Sequence, residues 1–237
     1  MSVDDFSSLG NAPIALESPA EGVTLGWVAL EAGDDEFARM AFWLAPAEHA
    51  RAARFGRDAL RRRYIIGRAS LRWALGRALD MAPAKVPIVR GARGRPQLAT
   101  DAGIDFNVSH TQGVALIGIA RGARIGVDVE QTDRDVRADR LARKFLTPSE
   151  QATLAPLPEA ALRARFLRYW TCKEAMSKAT GDGLSAPFRR LEIELDPRIA
   201  LVAGPPPYEP SRWRLYAATV PGAYIATVAL WADDPRP

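Results

Sequence analysis

The run Ile125-Gly126-Val127-Asp128-Val129-Glu130 restricts this chain more than any other six residues. Its β-branched residues alternate with carboxylates at i and i+2, so a strand places Asp128 and Glu130 on one face and the aliphatic side chains on the other. Acidic side chains are disfavoured in strands and costly to bury unless paired or bound to a metal. A solvated face is the ordinary explanation for such a strand. What adds weight is a second segment, Tyr169-Trp170-Thr171-Cys172-Lys173-Glu174-Ala175-Met176-Ser177-Lys178. As a helix it stacks Trp170, Glu174 and Lys178 along one stripe at i, i+4 and i+8. Alone, Glu174 and Lys178 are a common surface ion pair. Joined to the strand, the two segments offer three hard oxygen donors and a lysine, which is what a Mg²⁺–phosphate site requires.

Bulk properties bound the rest. The 237 residues, 48% hydrophobic and 25% charged, allow one large domain or two small ones of ordinary globular type. The longest apolar run, residues 114–120, is far too short to span a bilayer, so no membrane association is expected. The amino terminus lacks a basic-then-apolar signal pattern, and Cys172 is the only cysteine, which excludes an intrachain disulfide; the expected compartment is the reducing cytoplasm. Cys172 itself reads as a small buried helix residue. Two histidines, His49 and His110, make a histidine-rich zinc site unexpected. The net charge of +4 hides an asymmetry: residues 51–95 hold 13 Lys/Arg against Asp58 and Asp80, or +11, leaving −7 for the remainder. Such a patch suits a polyanionic or acidic partner, though a solvated helix face accounts for many of the arginines. The acids lie outside it, so function requires the two regions to meet.

Along the chain, residues 1–22 read as a loose leader. Strands are expected at 23–31 and 38–44, a helix from about 47, and an arginine-studded helix at 58–79 whose apolar stripe (Tyr64, Leu71, Leu75, Leu79) leaves most arginines on the opposite face. Strands follow at 86–89, 105–109, 114–120 and 124–130, then helices at 136–145, 148–154 and 162–180, then strands at 191–195, 213–219 and 223–231. The Pro-rich run 204–210 reads as a rigid surface connection. The class is α+β. No close sequence repeat links the halves, but both place a long helix before several strands, which predicts two lobes, 23–122 and 123–237, with the site in the cleft between them.

Taken in order, Gly94-Arg95-Pro96, Phe106-Asn107-Val108-Ser109-His110, Gly126-Val127-Asp128-Val129-Glu130 and Trp170-Thr171-Cys172-Lys173-Glu174-Ala175-Met176-Ser177-Lys178 closely resemble the 4′-phosphopantetheinyl transferases of the surfactin-synthetase-activating type, over about residues 44–231. The resemblance implies two similar α/β lobes related by a pseudo-twofold axis, in a monomer. It implies transfer of the phosphopantetheine arm of coenzyme A to a serine of an acidic acyl or peptidyl carrier protein, with Mg²⁺, releasing adenosine 3′,5′-bisphosphate. Carried over by position, Asp128, Glu130 and Glu174 would hold the metal. Lys178 would lie beside the pyrophosphate or the attacking serine. His110, Ser109 and Arg95 would hold the 3′-phosphate and adenosine portion, with Arg51 and Arg63 as further basic candidates. Thr171, Cys172 and Arg95 are mild departures from the family pattern.

Mechanistically, the incoming serine needs a base, for which Glu174 and a metal-bound water are both open. Two other classes compete with transfer. A nucleic-acid-binding module would use the basic helix, but no recognisable motif or interleaved aromatic platform supports it. A Mg²⁺-dependent phosphodiesterase would use the same acids on water. Ser109-His110 is not a hydrolase pair, because adjacent strand residues project to opposite faces and no nucleophile elbow surrounds the serine.

Overall fold

One unit of structure is built twice. The computed structural model describes residues 13–91 and 93–232. A short strand, β1 (Ile14–Leu16), precedes two runs of elements in the same order. The first comprises β2 (Val23–Ala29), α1 (Asp34–Ala41), α2 (Pro46–Ala52), α3 (Asp58–Leu79), the hairpin β3 (Ile88–Arg90) and β4 (Pro96–Leu98), then β5 (Ile104–Thr111) and β6 (Val114–Arg121). The second comprises β7 (Arg124–Gln131), α4 (Ala138–Phe145), α5 (Pro148–Leu154), α6 (Glu159–Thr180), the hairpin β8 (Glu192–Glu194) and β9 (Ala200–Ala203), then β10 (Trp213–Ala218) and β11 (Tyr224–Trp231). The sheets run β1-β2-β6-β5 and β10-β11-β7. In each lobe the first strand of the unit therefore pairs with the last, and the last with the one before it.

Alternation along the strands sets the layers. In the first sheet Val28, Leu30, Phe106 and Ile117 pack beneath α3 with Ile65, Ile66 and Leu75. In the second, Ile225 and Ala229 pack beneath α6 with Cys172, Ala175 and Met176. The opposite faces meet each other, Leu25, Trp27 and Leu116 against Ile125, Val127, Val129 and Val228. The order is helix, sheet, sheet, helix. The inter-sheet layer is tight: a Cβ on Gly118 would stand 2.6 Å from Val127 Cγ1.

The repeat reaches individual side chains. Each lobe has a short helix begun by proline, with glutamate two residues on: Pro46 and Glu48, Pro148 and Glu150. Each glutamate accepts from the backbone N–H three residues before it, Ala45 at 2.8 Å and Thr147 at 2.9 Å. Each also meets a buried cation on the long helix, Glu48 Oε2 with Arg72 Nε at 2.6 Å and Glu150 Oε2 with Lys173 Nζ at 2.7 Å. Those cations in turn donate to carbonyls at a 3₁₀ turn beyond the long helix, Pro83–Lys85 in the first lobe and Phe188–Arg190 in the second. Arg72 reaches Pro83 O and Val86 O, both at 3.0 Å; Lys173 reaches Phe188 O at 2.7 Å and Leu191 O at 2.6 Å. Buried charges survive when their remaining hydrogen-bonding capacity is met, and here it is. The sequence trace is Leu-x-Pro-x-Glu at 44–48 and at 146–150, a repeat that the reading by element order overlooked.

Two expectations are corrected. Residues 38–44 are not a strand: α1 covers 34–41, its first turn rich in Asp34, Asp35 and Glu36, which suit a helix N-terminus. Ile14–Leu16 is no loose leader but pairs with Leu25–Trp27 of β2; residues 1–12 lie outside the described structure. Of the α3 arginines, Arg72 is the one that is buried, 2% exposed and ion-paired. The Pro-rich connection is docked by Tyr208, which is buried, bonds Thr180 Oγ1 at 2.8 Å and donates to Asp182 Oδ2 at 2.6 Å.

The Glu48–Arg72 pair gives a test. Burial alone would raise the Glu48 carboxyl; the Arg72 hydrogen bond, the Ala45 N–H and the Arg68 charge outweigh it and hold the group below its usual value. Glu48→Gln leaves Arg72 buried without its counter-charge and should cost about 3 kcal/mol, read as a lower urea midpoint. In the wild type this contribution is intact above the unfolded carboxyl value and is lost as pH falls through the lowered folded one. The gap between the two proteins should therefore narrow only in the acid range.

Candidate active site

The helix carrying Glu174 and Lys178 lies on β7 at backbone contact. A Cβ on Gly126 would stand 1.8 Å from Ala175 O and 2.7 Å from Ala179 N, so only glycine permits the crossing. Asp128 and Glu130, next on the same strand face, thereby lie against α6, Asp128 bonded by Lys178 and Glu130 by Trp170. From Tyr169 to Thr180 every residue is buried except Trp170, Glu174 and Lys178, the three at i, i+4 and i+8.

The opposite lobe reaches the same point through β5. This strand and β7 are the facing edges of the two sheets, and they are joined by side chains. Asp105 Oδ2 accepts from Ile125 N at 2.8 Å, Asn107 Oδ1 from Val127 N at 3.1 Å, and Ser109 Oγ from Val129 N at 3.3 Å. The ladder ends in the acids. Ser109 Oγ donates to Asp128 Oδ1 at 2.9 Å, and Lys178 Nζ donates to Ser109 Oγ at 2.8 Å and to Asp128 Oδ1 at 2.6 Å. Strand, strand and helix meet in one triangle.

The remaining acids crowd this triangle. Glu130 is ion-paired to Arg134 and hydrogen-bonded by Trp170. Burial, then the Asp128 charge, still push its carboxyl above the usual value. Glu174 is raised to about 7, first by burial and next by Asp128, with Lys178 opposing. Asp128 Oδ2 and Glu174 Oε1 are buried without a hydrogen-bond partner. Three carboxylates thus face two cations, Lys178 and Arg134.

Of the sequence candidates, Ser109, Asp128 and Lys178 are in direct contact, with Glu130 and Glu174 close enough to shift by their charges. Among the described residues, no three His, Cys, Asp or Glu side chains form a ready-made metal cluster. The reason is local: Lys178 and Ser109 hold Asp128 Oδ1, and Arg134 holds Glu130. The two orphan oxygens nevertheless suit a divalent cation, because a buried carboxylate oxygen needs a donor or a metal. His110, on β5, is held below its usual value first by partial burial of its ring and next by the Lys178 charge, with Asp128 opposing. Arg51 has its guanidinium 5.5 Å from the Tyr64 ring centre, where the charges of Arg68 and Arg90 also act. Arg63 is half-buried on α3.

Arg95 is redirected by the structure. Its guanidinium is consumed inside the protein, paired bidentately with Asp105 and bonded to three backbone carbonyls, and its side chain is only 8% exposed. Asp105, Asn107, Lys173 and Arg134 went unassigned from sequence. The first two had a visible signal, polar residues at every second position of 105–109. The buried Cys172 thiol, pushed up to about 12 by burial, is inert, as its small-residue reading implied.

Comparison with known proteins gives two family matches. The description "4′-phosphopantetheinyl transferase superfamily" matches residues 124–229, and "4′-phosphopantetheinyl transferase, N-terminal" matches residues 29–120. The 4′-phosphopantetheinyl transferase HetI of Nostoc sp. is 37% identical over 181 residues, 75% of this chain and 76% of that one. The 4′-phosphopantetheinyl transferase of Bacillus subtilis is 26% identical over 190 residues, 80% and 83%. The human L-aminoadipate-semialdehyde dehydrogenase-phosphopantetheinyl transferase is 28% identical over 154 residues, 60% of this chain but about half of that longer protein, 49%.

Two outcomes follow from the packing and the charge. Gly126→Ala forces helix and strand apart and should cost about 3 kcal/mol or more, seen as a lowered urea midpoint or loss of soluble protein. Glu174→Gln should raise the melting temperature of the metal-free protein at pH 8. A carboxyl whose folded value is raised loses stability as pH climbs from its unfolded to its folded value, so the gain should shrink toward pH 5, by calorimetry at both pH values.

Proposed function

The chain belongs to the 4′-phosphopantetheinyl transferase superfamily, and on that premise we propose that it moves the 4′-phosphopantetheine arm of coenzyme A onto a serine hydroxyl of an apo acyl or peptidyl carrier protein, releasing adenosine 3′,5′-bisphosphate. The observation that carries this reading is the crowding of Asp128, Glu130 and Glu174, two of them with orphaned oxygens, around an ammonium group at the joint of the lobes.

The reaction joins the serine oxygen to the pantetheine-side phosphorus and breaks that phosphorus's bond to the bridging oxygen, which leaves with the adenosine bisphosphate. Asp128, Glu130 and Glu174 are the residues that would hold Mg²⁺, whose chemistry is to neutralise the pyrophosphate and the departing bisphosphate. Lys178, fixed by Asp128 and Ser109, keeps an ammonium beside the centre where negative charge grows. Glu174 is the chain's own group in this cluster that could accept the serine proton, directly or through a water. His110 and Ser109, with Arg51 and Arg63, form the side assigned to the 3′-phosphate and adenosine. Arg95, whose Nε, Nη1 and Nη2 each already bond protein oxygens, is left out of that set.

Finer assignments belong to the same proposal. Residues 23–122 form the lobe on the 3′-phosphate side and 123–237 the lobe with the acids. The surfactin-synthetase-activating subtype and a monomeric state are supported by the duplicated unit, since one chain supplies both sides of the joint. An acidic carrier is favoured by the basic segment, where Arg54 and Arg57 stay exposed and would steer it in. No helix among the described residues is long and apolar enough to cross a membrane, and the cytoplasmic assignment rests on cysteine usage.

The decisive assay mixes the protein with coenzyme A, Mg²⁺ and a panel of apo carrier domains, and reads intact masses. One added phosphopantetheine is expected; none on any carrier would refute the reading, and free phosphopantetheine without carrier would point to hydrolysis. Asp128→Ala, Glu174→Gln and Lys178→Ala should each lower turnover by about 10²-fold or more. Chelation should abolish turnover and Mg²⁺ restore it.

A further inference from the structure

We propose that Arg95 is a positioning residue for the reaction: it sets the last turn of α6, and with it Lys178, against the acid strand β7, without touching substrate. The inference rests on the coenzyme A reading above for its kinetic arm, and on geometry for the rest.

Arg95 follows Gly94 at the mouth of the β3–β4 hairpin, in the first lobe. Its Nη1 and Nη2 grip Asp105 Oδ1 and Oδ2 at 2.8 and 2.6 Å. Nη2 also reaches Phe106 O at 3.1 Å on β5 and Ile125 O at 2.8 Å on β7. Nε donates to Lys178 O at 2.8 Å. One planar cation therefore ties together β5, β7 and α6, the three elements that carry Ser109, Asp128 and Lys178. The Lys178 bond also has a local reason. The last four carbonyls of a helix have no partner within it, and that end carries partial negative charge. Ser177 O is taken by Gly181 N and Asp182 N, while Lys178 O, next in line, is capped by a guanidinium from the other lobe. Asp105 completes the device, holding Arg95 with both oxygens while Oδ2 accepts from Ile125 N. Lysine cannot replace the fork, since a point charge on a flexible stem does not span two carboxylate oxygens and three carbonyls at once.

The test uses the full-length protein, as wild type, Arg95→Lys, Arg95→Gln and Asp105→Asn. Two measurements are made. Hydrogen–deuterium exchange without substrate should show lost protection in the last turn of α6 and the start of β7 in all three variants. Turnover with coenzyme A and with 3′-dephospho-coenzyme A should show kcat lowered about 10- to 100-fold with either substrate, at little changed KM, as expected when a charged group is displaced by about an ångström. Asp105→Asn, which keeps the Arg95 charge but loosens its anchor, should move kcat the same way. A KM increase confined to coenzyme A, absent with the dephospho form, would make Arg95 a phosphate ligand and overturn the proposal. Unchanged exchange in α6 and β7, or unchanged kcat in a folded variant, overturns it equally. A wild type silent on every carrier would instead fell the reading of function, and the exchange data would still decide whether Arg95 holds the joint.

Discussion

Two sheet edges face each other in this molecule, and everything at the candidate site depends on how they are closed. An exposed strand edge presents unpaired backbone donors and acceptors. Here β5 and β7 are bridged by Asp105, Asn107 and Ser109, alternate side chains of β5 that accept the outward N–H groups of Ile125, Val127 and Val129. A side-chain ladder leaves more room than a backbone ladder, and its last rung, Ser109, is free to serve Asp128 and Lys178 as well. The joint between lobes and the chemical centre are consequently one structure. Loosening one loosens the other.

The duplication explains why the chemistry occurs at one place. Both lobes keep the buried glutamate–cation pair that fastens a short helix and a 3₁₀ turn to the long helix, Glu48–Arg72 and Glu150–Lys173. In this light Lys173, though central to the Trp-x-x-Lys-Glu-Ala-x-x-Lys run, is a scaffold residue with no exposed surface. What differs is the strand beneath the helix. On β2 the helix-facing residue after Gly26 is Val28, with Leu30 just past the strand's end; on β7, after Gly126, they are Asp128 and Glu130. The first lobe uses that face as core, whereas the second gives up apolar burial there to gather charge. Crowded carboxylates with orphaned oxygens and a carboxyl raised to about 7 are unfavourable in a resting protein and useful when a cation and a pyrophosphate arrive.

The strand alternation and the helical stripe were legible because each obeys a local period. Residues 124–131 are a strand with its acids on one face, and Trp170, Glu174 and Lys178 are the part of α6 that remains unburied. The α1 segment misled because its apolar residues suit either period over so short a span, and the acidic first turn decided for helix. The surroundings of Arg95 were hidden for a different reason. A basic residue in a Gly-Arg-Pro turn resembles a phosphate clamp, and nothing local reveals that Asp105, Phe106, Ile125 and Lys178 will surround it.

Sequence alone therefore determined the class of fold, the period and face of each long element, and the residue types able to grip a divalent cation beside a phosphate. Those follow from backbone geometry and side-chain chemistry, which act within a few residues. The tertiary structure decided which charges are spent on holding the molecule together and which are left over for chemistry. Arg72, Lys173 and Arg95 look no different from Lys178 in a sequence, yet burial fixes the first three to protein oxygens and leaves Lys178 partly exposed at the joint. That distinction is made by long-range packing, because a cation's partner is chosen by what the fold brings within hydrogen-bonding distance.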